Sequence, residues 1–546
     1  MSENAAVNEK AESGLQINKK TLLGITILLV VIIAFVGVLT QVMTRGEYYV
    51  YPENTYKLGD GRVVCLADGE KQYTVDGKTK IGLDEYLARL NGFDCGVTKV
   101  NSFDGVDIEN AEDISGMIIN GTYHEIDYKM PIWKIPLSIF LVFGTSTITT
   151  GLAIIAIIVL IGGTFLIIDE RGILKYIMGV VLKKFRDKKY ILLCVMIFIC
   201  MLLSSTAGIL EESVTLVPIA AAIALALGWD SFVGLTMSLV AVAFGFTAAT
   251  FNPFNVVTVQ KLGDIPVFSG LWMRVLLFVL VYAVLTAFTV LYAKRIEKNP
   301  EKSLSYETDK ALREKYSVEE SMALLDNKNL AKATKAFGLC LCGVLVCIGV
   351  DFALGLGGML SLPGMAVLFT AGGLIAGRIS GLRGKALLGG FLKGVKTIAP
   401  VIPLIVFIIA ITYILSEGMI IHTILNFVYD HIQGLSPYAA ILMLFGFIVV
   451  LEFFIGSGTA KAFLIMPIVA PLAQLVGISG NSVVLTFCMG DGFTNLLYPT
   501  SGIMIIAIGL LNISYGKWLR YTWKLFVAEG LLAVAMMHFA IFVNYA

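Results

Sequence analysis

Apolar residues run in long stretches along this chain, at about 21–43, 137–168, 191–203, 214–228, 231–260, 270–293, 336–355, 361–377, 397–416, 437–455, 462–476, 482–510 and 518–541. A bilayer interior demands such runs, since a crossing helix needs about 20 apolar residues. Several are too short to cross alone, and these come in pairs: 191–203 with 214–228, and 437–455 with 462–476. Each pair flanks a polar tip containing Gly and Ser. The pattern predicts an all-α polytopic membrane protein in which re-entrant hairpins and broken helices replace four of the crossings.

Between the first and second runs the pattern changes. Residues 44–134 carry 16 acidic and 10 basic side chains, with turn signals Gly59-Asp60-Gly61 and Asp76-Gly77 between short Val/Tyr-rich runs and a helical stretch at Leu83–Leu90. That composition predicts a small α/β module. Residues 1–20 read as a polar cytoplasmic tail, and 21–43 as an uncleaved first transmembrane helix, too long for a signal-peptide core. The module then falls outside the cytoplasm. It holds Cys65 and Cys95, two of the eight cysteines. An oxidising compartment allows them to pair, and two buried free thiols are the alternative.

Charge assigns sides. Seven Lys/Arg fall between Arg171 and Lys189, while 417–436 contains none. The 294–335 segment holds ten Lys/Arg and eight Asp/Glu and reads as a solvated cytoplasmic linker. Hairpins counted as non-crossing, the path has nine crossings, with the N-terminus cytoplasmic and the C-terminus extracytoplasmic. The chain divides into 135–293, a transmembrane region with a first repeat, the linker 294–335, and 336–546, a transmembrane region with a second repeat. Only 15% of residues are charged, against about 25% in soluble domains. The net charge of +1 gives no footprint for nucleic acid.

The two halves are related. Gly270-Leu271-Trp272-Met273-Arg274 matches Gly516-Lys517-Trp518-Leu519-Arg520 at an offset of 246 (518 − 272), and Pro253 falls on Pro499 and Gly172 on Gly418 at the same offset. Pro218 meets Pro467 after a three-residue shift. Equivalent segments carry opposite flanking charge, so the copies are expected to lie inverted. Inverted repeats with broken helices place a substrate site near the bilayer midplane; a duplicated scaffold without transport is the bland alternative.

Candidate chemistry lies in four polar interruptions. The first tip holds Ser205, Thr206, Glu211 and Glu212; the second holds Glu452, Gly456, Ser457, Thr459 and Lys461. The broken spans supply Thr250, Asn252 and Asn255, then Asp491, Thr494, Asn495, Thr500 and Ser501. Gly and Pro free helix N-termini that attract a carboxylate, while exposed carbonyls with Ser, Thr and Asn oxygens suit a small cation. A sodium site is expected near Thr250, Asn252, Gly456, Asp491 and Asn495. Asn252 is placed to cap the half-helix that Pro253 starts. Glu211 and Glu212 point about 100° apart on a helix, so one can face a cavity while the other pairs with a cation. Lys461 either neutralises a glutamate or receives a substrate carboxylate; a structural ion pair is the alternative. His422 and His431 read as members of a solvated interfacial face. There are no catalytic or metal-cluster constellations, no bound cofactor is implied, and sodium or a proton would be the coupling ion.

The tip sequences resemble the four-carbon dicarboxylate anaerobic carrier (DcuC-like) family, and within it the YfcC-type permeases of the ion-transporter superfamily. The stretches are Gly208-Ile209-Leu210-Glu211-Glu212, Phe251-Asn252-Pro253-Phe254, Gly456-Ser457-Gly458, Gly490-Asp491-Gly492-Phe493-Thr494-Asn495 and Pro499-Thr500-Ser501-Gly502. The likeness covers about 135–541 and omits the 44–134 module. It implies a secondary transporter, symporter or exchanger, of small amino acids or organic carboxylates in a bacterial plasma membrane, often a homodimer. A basic amino acid antiporter and a four-carbon dicarboxylate carrier are both consistent with it. A channel and an intramembrane enzyme are the rivals from other classes. The enzyme lacks its motifs: His124-Glu125 has no second His of a zinc helix, and Cys488 stands where a Gly-x-Gly-Asp motif needs Gly.

Overall fold

The computed structural model describes residues 19–545 apart from 59, 61, 67–71, 76–78, 94, 101–110, 116–118, 120, 146, 316–317, 355–359 and 433. Most of the N-terminal tail, both glycines of 59–61 and the Asp76-Gly77 turn therefore lie outside the described residues.

Helix α1 (Lys19–Val42) carries no charge beyond its first turn and leads straight into the module. There, β1 (Gly46–Glu47) pairs with β8 (His124–Glu125), and β2 (Thr55–Lys57), β3 (Val63–Leu66), β6 (Val97–Val100) and β7 (Glu112–Asp113) form a sheet in the order β6-β3-β2-β7. Strands β4 (Gln72–Val75) and β5 (Thr79–Gly82) make a separate hairpin. Helix α2 (Leu83–Asn91) has Asp84 and Glu85 in its first turn and Arg89 in its last, complementing the helix dipole. Its Leu83, Tyr86, Leu87 and Leu90 recur at one-face spacing and are buried, packing in one cluster with Tyr49, Cys65, Val75, Ile81 and Val97.

Cys65 and Cys95 are unbridged thiols in this structure. Cys65 pairs with Lys99 across the parallel β3–β6 ladder, and Cys95 precedes β6 by two residues, before the turn at Gly96. Cys65 is buried with Glu53 and Leu66 carbonyls near its sulfur.

The remaining helices are α3 (Lys134–Leu141), α4 (Thr147–Glu170), α5 (Ile173–Phe185), α6 (Lys189–Ala207), α7 (Val217–Ala226), α8 (Ser231–Leu235), α9 (Ala241–Thr247), α10 (Thr258–Leu262), α11 (Leu271–Lys298), α12 (Tyr306–Lys315), α13 (Val318–Ala323) and α14 (Lys328–Leu354). They continue as α15 (Ser361–Ile379), α16 (Lys385–Ile398), α17 (Ile402–Glu417), α18 (Ile421–Ile432), α19 (Pro437–Phe454), α20 (Gly458–Leu475), α21 (Gly480–Asp491), α22 (Gly502–Leu510) and α23 (Tyr515–Phe542). Among the described residues, seven helices are long and apolar enough to cross a membrane, or eight if the α16–α17 pair, bent by 48° at the Pro400 break, is one broken span. Helix α4 is a further apolar helix of 24 residues, some of whose side chains lie outside the described ones.

The hairpin arms are longer than their apolar runs suggest. The Ser204-Ser205-Thr206 tip is itself helical, so α6 reaches 19 residues, and α19 and α20 reach 18 each. At about 1.5 Å per residue these helices are close to the roughly 30 Å hydrocarbon thickness. Helix α6 packs chiefly on α9, α19 on α21, and α20 on α10, so each of these arms leans on an interrupted helix rather than on its hairpin partner. One order of elements recurs: α5, α6, α7, α8–α9, α10 and α11, then α18, α19, α20, α21, α22 and α23, with α11 and α23 each 28 residues long.

Two surface readings need correction. The linker is not wholly solvated: Ser305 and Asp309 are fully buried, and Asp309 accepts hydrogen bonds from the Ser231 amide (2.9 Å) and hydroxyl (2.5 Å). Asp230 caps α8 through the Val233 amide (3.0 Å) and also accepts from Ser303 (2.7 Å) and Tyr292 (2.6 Å). The linker is thus bolted to the α7–α8 turn. His422 is likewise no solvated side chain. Its Nδ1 accepts the Tyr48 amide at 3.2 Å, beside Tyr48 Oη donating to Asn426 at 3.0 Å, and these bonds seat the module on α18.

Burial lowers the His422 imidazole to about 4, with Glu47 opposing weakly. A histidine depressed on folding contributes stability that is complete above the unfolded value near 6.5 and is lost as pH falls toward 4, by at most about 3 kcal/mol. Thermal unfolding across this window should show the loss, and His422→Gln, which cannot titrate, should flatten it.

Candidate functional site

Both interruptions are built by residues that break a helix and then satisfy what they break. Helix α6 ends at Gly208, whose φ of +76° is the left-handed conformation that glycine adopts without strain. The chain then makes a tight turn at Glu211–Thr215 before α7. Helix α9 stops at Thr247, and Asn252 restarts the chain. As its position before Pro253 suggests, its Oδ1 accepts the amides of Phe254 (2.8 Å) and Asn255 (3.2 Å), while its Nδ2 donates to the Ser204 carbonyl (3.2 Å). Ser205 Oγ donates to the Ala248 carbonyl (2.7 Å) and lies 3.0 Å from Thr250 Oγ1, and the Thr250 amide lies 2.9 Å from the Ser205 carbonyl. The first tip is therefore zipped to the first interruption.

The second tip meets the same place from the other copy. Ser457 caps α20 through the Ala460 amide (3.3 Å). One turn on, Lys461 is fully buried, ion-paired with Glu452 and, at 2.5 Å, with Asp491 Oδ1. Asn255 Nδ2 donates to Asp491 Oδ2 at 3.0 Å, so the interruption of the first copy is bonded to that of the second. Asn255 Oδ1 is buried without a hydrogen-bond partner among the described residues. Glu211 is exposed, at the start of the turn that follows α6.

Two glycines let the elements approach. A Cβ at Gly492 would lie 2.3 Å from the Thr247 backbone, so the two interrupted helices touch main chain to main chain. A Cβ at Gly458 would lie 2.8 Å from both Asn255 Oδ1 and Asp491 Oδ2.

The expected residues thus divide. Asn252, Asn255, Asp491, Lys461 and Glu452 form one chain of polar contacts, and Ser205 with Thr250 a second pair beside it. Thr494 and Asn495 fold back on the interruption itself: Asn495 Nδ2 donates to the Asp491 carbonyl at 2.7 Å and Thr494 Oγ1 to that of Gly490. Thr206 bonds its own helix at Leu202 O (2.7 Å), Ser501 caps α22 through the Met504 amide (3.5 Å), and Thr459 and Thr500 are half-buried. The Glu212 side chain lies outside the described residues. Of the oxygens expected around sodium, Thr250 Oγ1 and Asn252 Oδ1 are engaged by protein groups, Asp491 holds Lys461 and Asn255, and Gly456 is exposed. Glu529, buried on α23, is absent from every motif above; its only sequence signal is an acidic residue alone in the apolar run 525–537.

Interrupted helices that converge on a buried ionic cluster in a many-span protein define a secondary transporter of small molecules. The chain belongs to the C4-dicarboxylate anaerobic carrier family, DcuC, whose model matches residues 22–543. It is similar to the Escherichia coli (strain K12) protein named "Putative basic amino acid antiporter YfcC", 29% identical over 385 residues, 68% of this chain and 74% of that one. It is also similar to an uncharacterized protein of Haemophilus influenzae, 28% identical over 506 residues, 91% of this chain and 92% of that one. The crystal structure of the Alcanivorax borkumensis YdaH transporter matches over 73% of this chain and 89% of its own at 17% identity, with a TM-score of 0.38.

Gly458→Val should crowd Asn255 and Asp491, destabilise the fold by about 1–3 kcal/mol and lower transport, with membrane insertion retained. Vesicle uptake of a transported solute, alongside a fluorescence-detected measure of folded protein, checks it.

Proposed function

We propose that the protein is a secondary active exchanger of small amino acids in a bacterial plasma membrane, with basic amino acids as the preferred class. The observation that carries this is the charge balance of the buried cluster. One ammonium, Lys461, stands between two carboxylates, Glu452 and Asp491. An excess of negative charge in a low-dielectric site calls for a cation to complete it. A guanidinium or ammonium side chain of a substrate can do so, and so can a coupling sodium ion or proton. The name of the Escherichia coli relative, a basic amino acid antiporter, supports the same class.

Alternating access follows if the two copies lie inverted, each presenting a re-entrant tip and an interrupted helix to a site near the midplane. The recurring element order and the contacts of α20 with α10 and of the 211–215 turn with α22 support that arrangement. In it, the 44–134 module and the C-terminus are extracytoplasmic, and 1–20 and 294–335 are cytoplasmic. Cysteines near Lys184 and Gln433 should then react with impermeant reagents from opposite faces; reaction from one face ends the inverted scheme.

A second reading, dicarboxylate transport, is favoured by Lys461, whose ammonium would receive a carboxylate if the substrate displaced Glu452. Counterflow in proteoliposomes separates the two. Preloading with unlabelled arginine or ornithine should accelerate uptake of labelled arginine, and preloaded succinate should not. Glu212→Gln and Asp491→Asn should abolish exchange with insertion intact; Asp491→Asn takes a buried charge partner from Lys461. Acceleration by succinate alone would hand the function to the dicarboxylate reading, and wild-type exchange in both variants would remove these residues from the site.

A further inference from the structure

Helix α23 carries one acidic residue, Glu529, fourteen residues from Tyr515 and thirteen from Phe542. At 1.5 Å per residue about 20 Å of helix extends on either side, so the carboxyl sits at the middle of a candidate span. It is fully buried, and neither oxygen meets a hydrogen-bond partner among the described residues.

Helix α23 packs on α11, α19, α21 and α22. The ionisable groups in the spans of these neighbours are Arg274, Tyr282 and Tyr292 on α11, Tyr438 and Glu452 on α19, and Cys488 and Asp491 on α21; α22 has none, and α11 ends in the charged stretch from Lys294. Among the described residues none of them hydrogen-bonds to Glu529. Arg274 lies beside Tyr545, past the far end of α23 and therefore about 20 Å along the helix from the carboxyl. On α23 itself, Tyr521 contacts Tyr292 and bonds Thr236, two turns away, while Lys524 is exposed. A bare carboxylate in such surroundings has nothing to replace its hydration, so the side chain is accommodated as the neutral acid.

The residue is mechanically connected to the site. One turn before it, Phe526 packs on Phe493 with ring centroids 6.0 Å apart, and Phe493 lies two residues beyond Asp491, in the second interruption. Phe493 in turn faces Phe244 of α9 at 6.4 Å. A shift of the interruption therefore repacks the wall beside Glu529.

We propose that Glu529 is a proton-binding site of the transport cycle, holding its proton in the conformation described here and giving it up when repacking around Phe493 admits water to the carboxyl. The O–H bond breaks, the proton passes to that water and on to the opened side, and the carboxylate remains until a proton returns. The coupling part of this inference rests on the exchange function proposed above; the existence of the proton site does not.

Infrared spectroscopy of the full-length protein in lipid nanodiscs tests the site. A protonated-carboxyl stretch that is lost in Glu529→Gln, an isostere of the neutral acid, is expected. Dicyclohexylcarbodiimide, which attacks protonated carboxyls in apolar surroundings, should place a mapped adduct on Glu529. A stretch unchanged by the substitution, with no adduct at Glu529, overturns the proton site. In proteoliposomes, wild-type arginine exchange should vary with pH, by about tenfold across a coupling of ordinary size, and Glu529→Gln should flatten that profile. An unaltered profile in the variant overturns the coupling role. If the wild type exchanges no solute of the panel, the function proposed above fails, while the infrared and carbodiimide measurements still decide the proton site.

Discussion

The ion cluster of Lys461 with Glu452 and Asp491 is the interaction on which the polar interior depends. Hydrocarbon offers no solvation to any of the three, so each is tolerable only while the others are in place. Glu452 closes α19, Lys461 lies on the first turn of α20, and Asp491 ends α21. Three helix ends are thus held at one point by charge. Asn255 extends the hold to the first copy through Asp491. Removing one member would not leave a gap of neutral volume; it would strand an unpaired charge, which is why the elements around it are so closely fitted.

The interruptions follow from the same constraint. A helix broken inside a membrane exposes amides and carbonyls that water cannot reach, and they must be answered locally. Asn252 answers two amides and a carbonyl, and Ser205 and Thr250 answer one another across the gap. Thr494 and Asn495 return to the carbonyls of Gly490 and Asp491. Several residues read as ligands from sequence are thus engaged as the repair of broken backbone.

Much of this was legible in the chain. The polar tips, the cap at Asn252 and the Gly/Pro breaks are local, and local chemistry can be read from neighbours in sequence. Helix length was misjudged where Ser and Thr continue a helix, because hydropathy falls at Ser204-Ser205-Thr206 while the backbone does not change. Contacts between distant segments left no sequence mark. The burial of Asp309 under the α7–α8 turn and the acceptance of the Tyr48 amide by His422 each depend on which elements meet. Glu529 escaped for the opposite reason: a single acidic residue in an apolar run fits no motif, and its isolation becomes informative only once its neighbours are known.

The seating of the 44–134 module has a consequence for how force could pass through the molecule. Tyr48 binds His422 and Asn426, Tyr128 and Lys134 bind Glu417, and the Gly46 amide reaches the Met419 carbonyl at 3.4 Å. Toward the first copy, the described residues include one exposed ion pair, Lys57 with Asp264 at 3.6 Å. Such a surface pair contributes about 1 kcal/mol or less. The described bonds therefore gather at the junction of α17 and α18 and at the end of α1, where Gln41 donates to the Met130 carbonyl at 3.0 Å, so a pull on the module would load the second copy's entrance first.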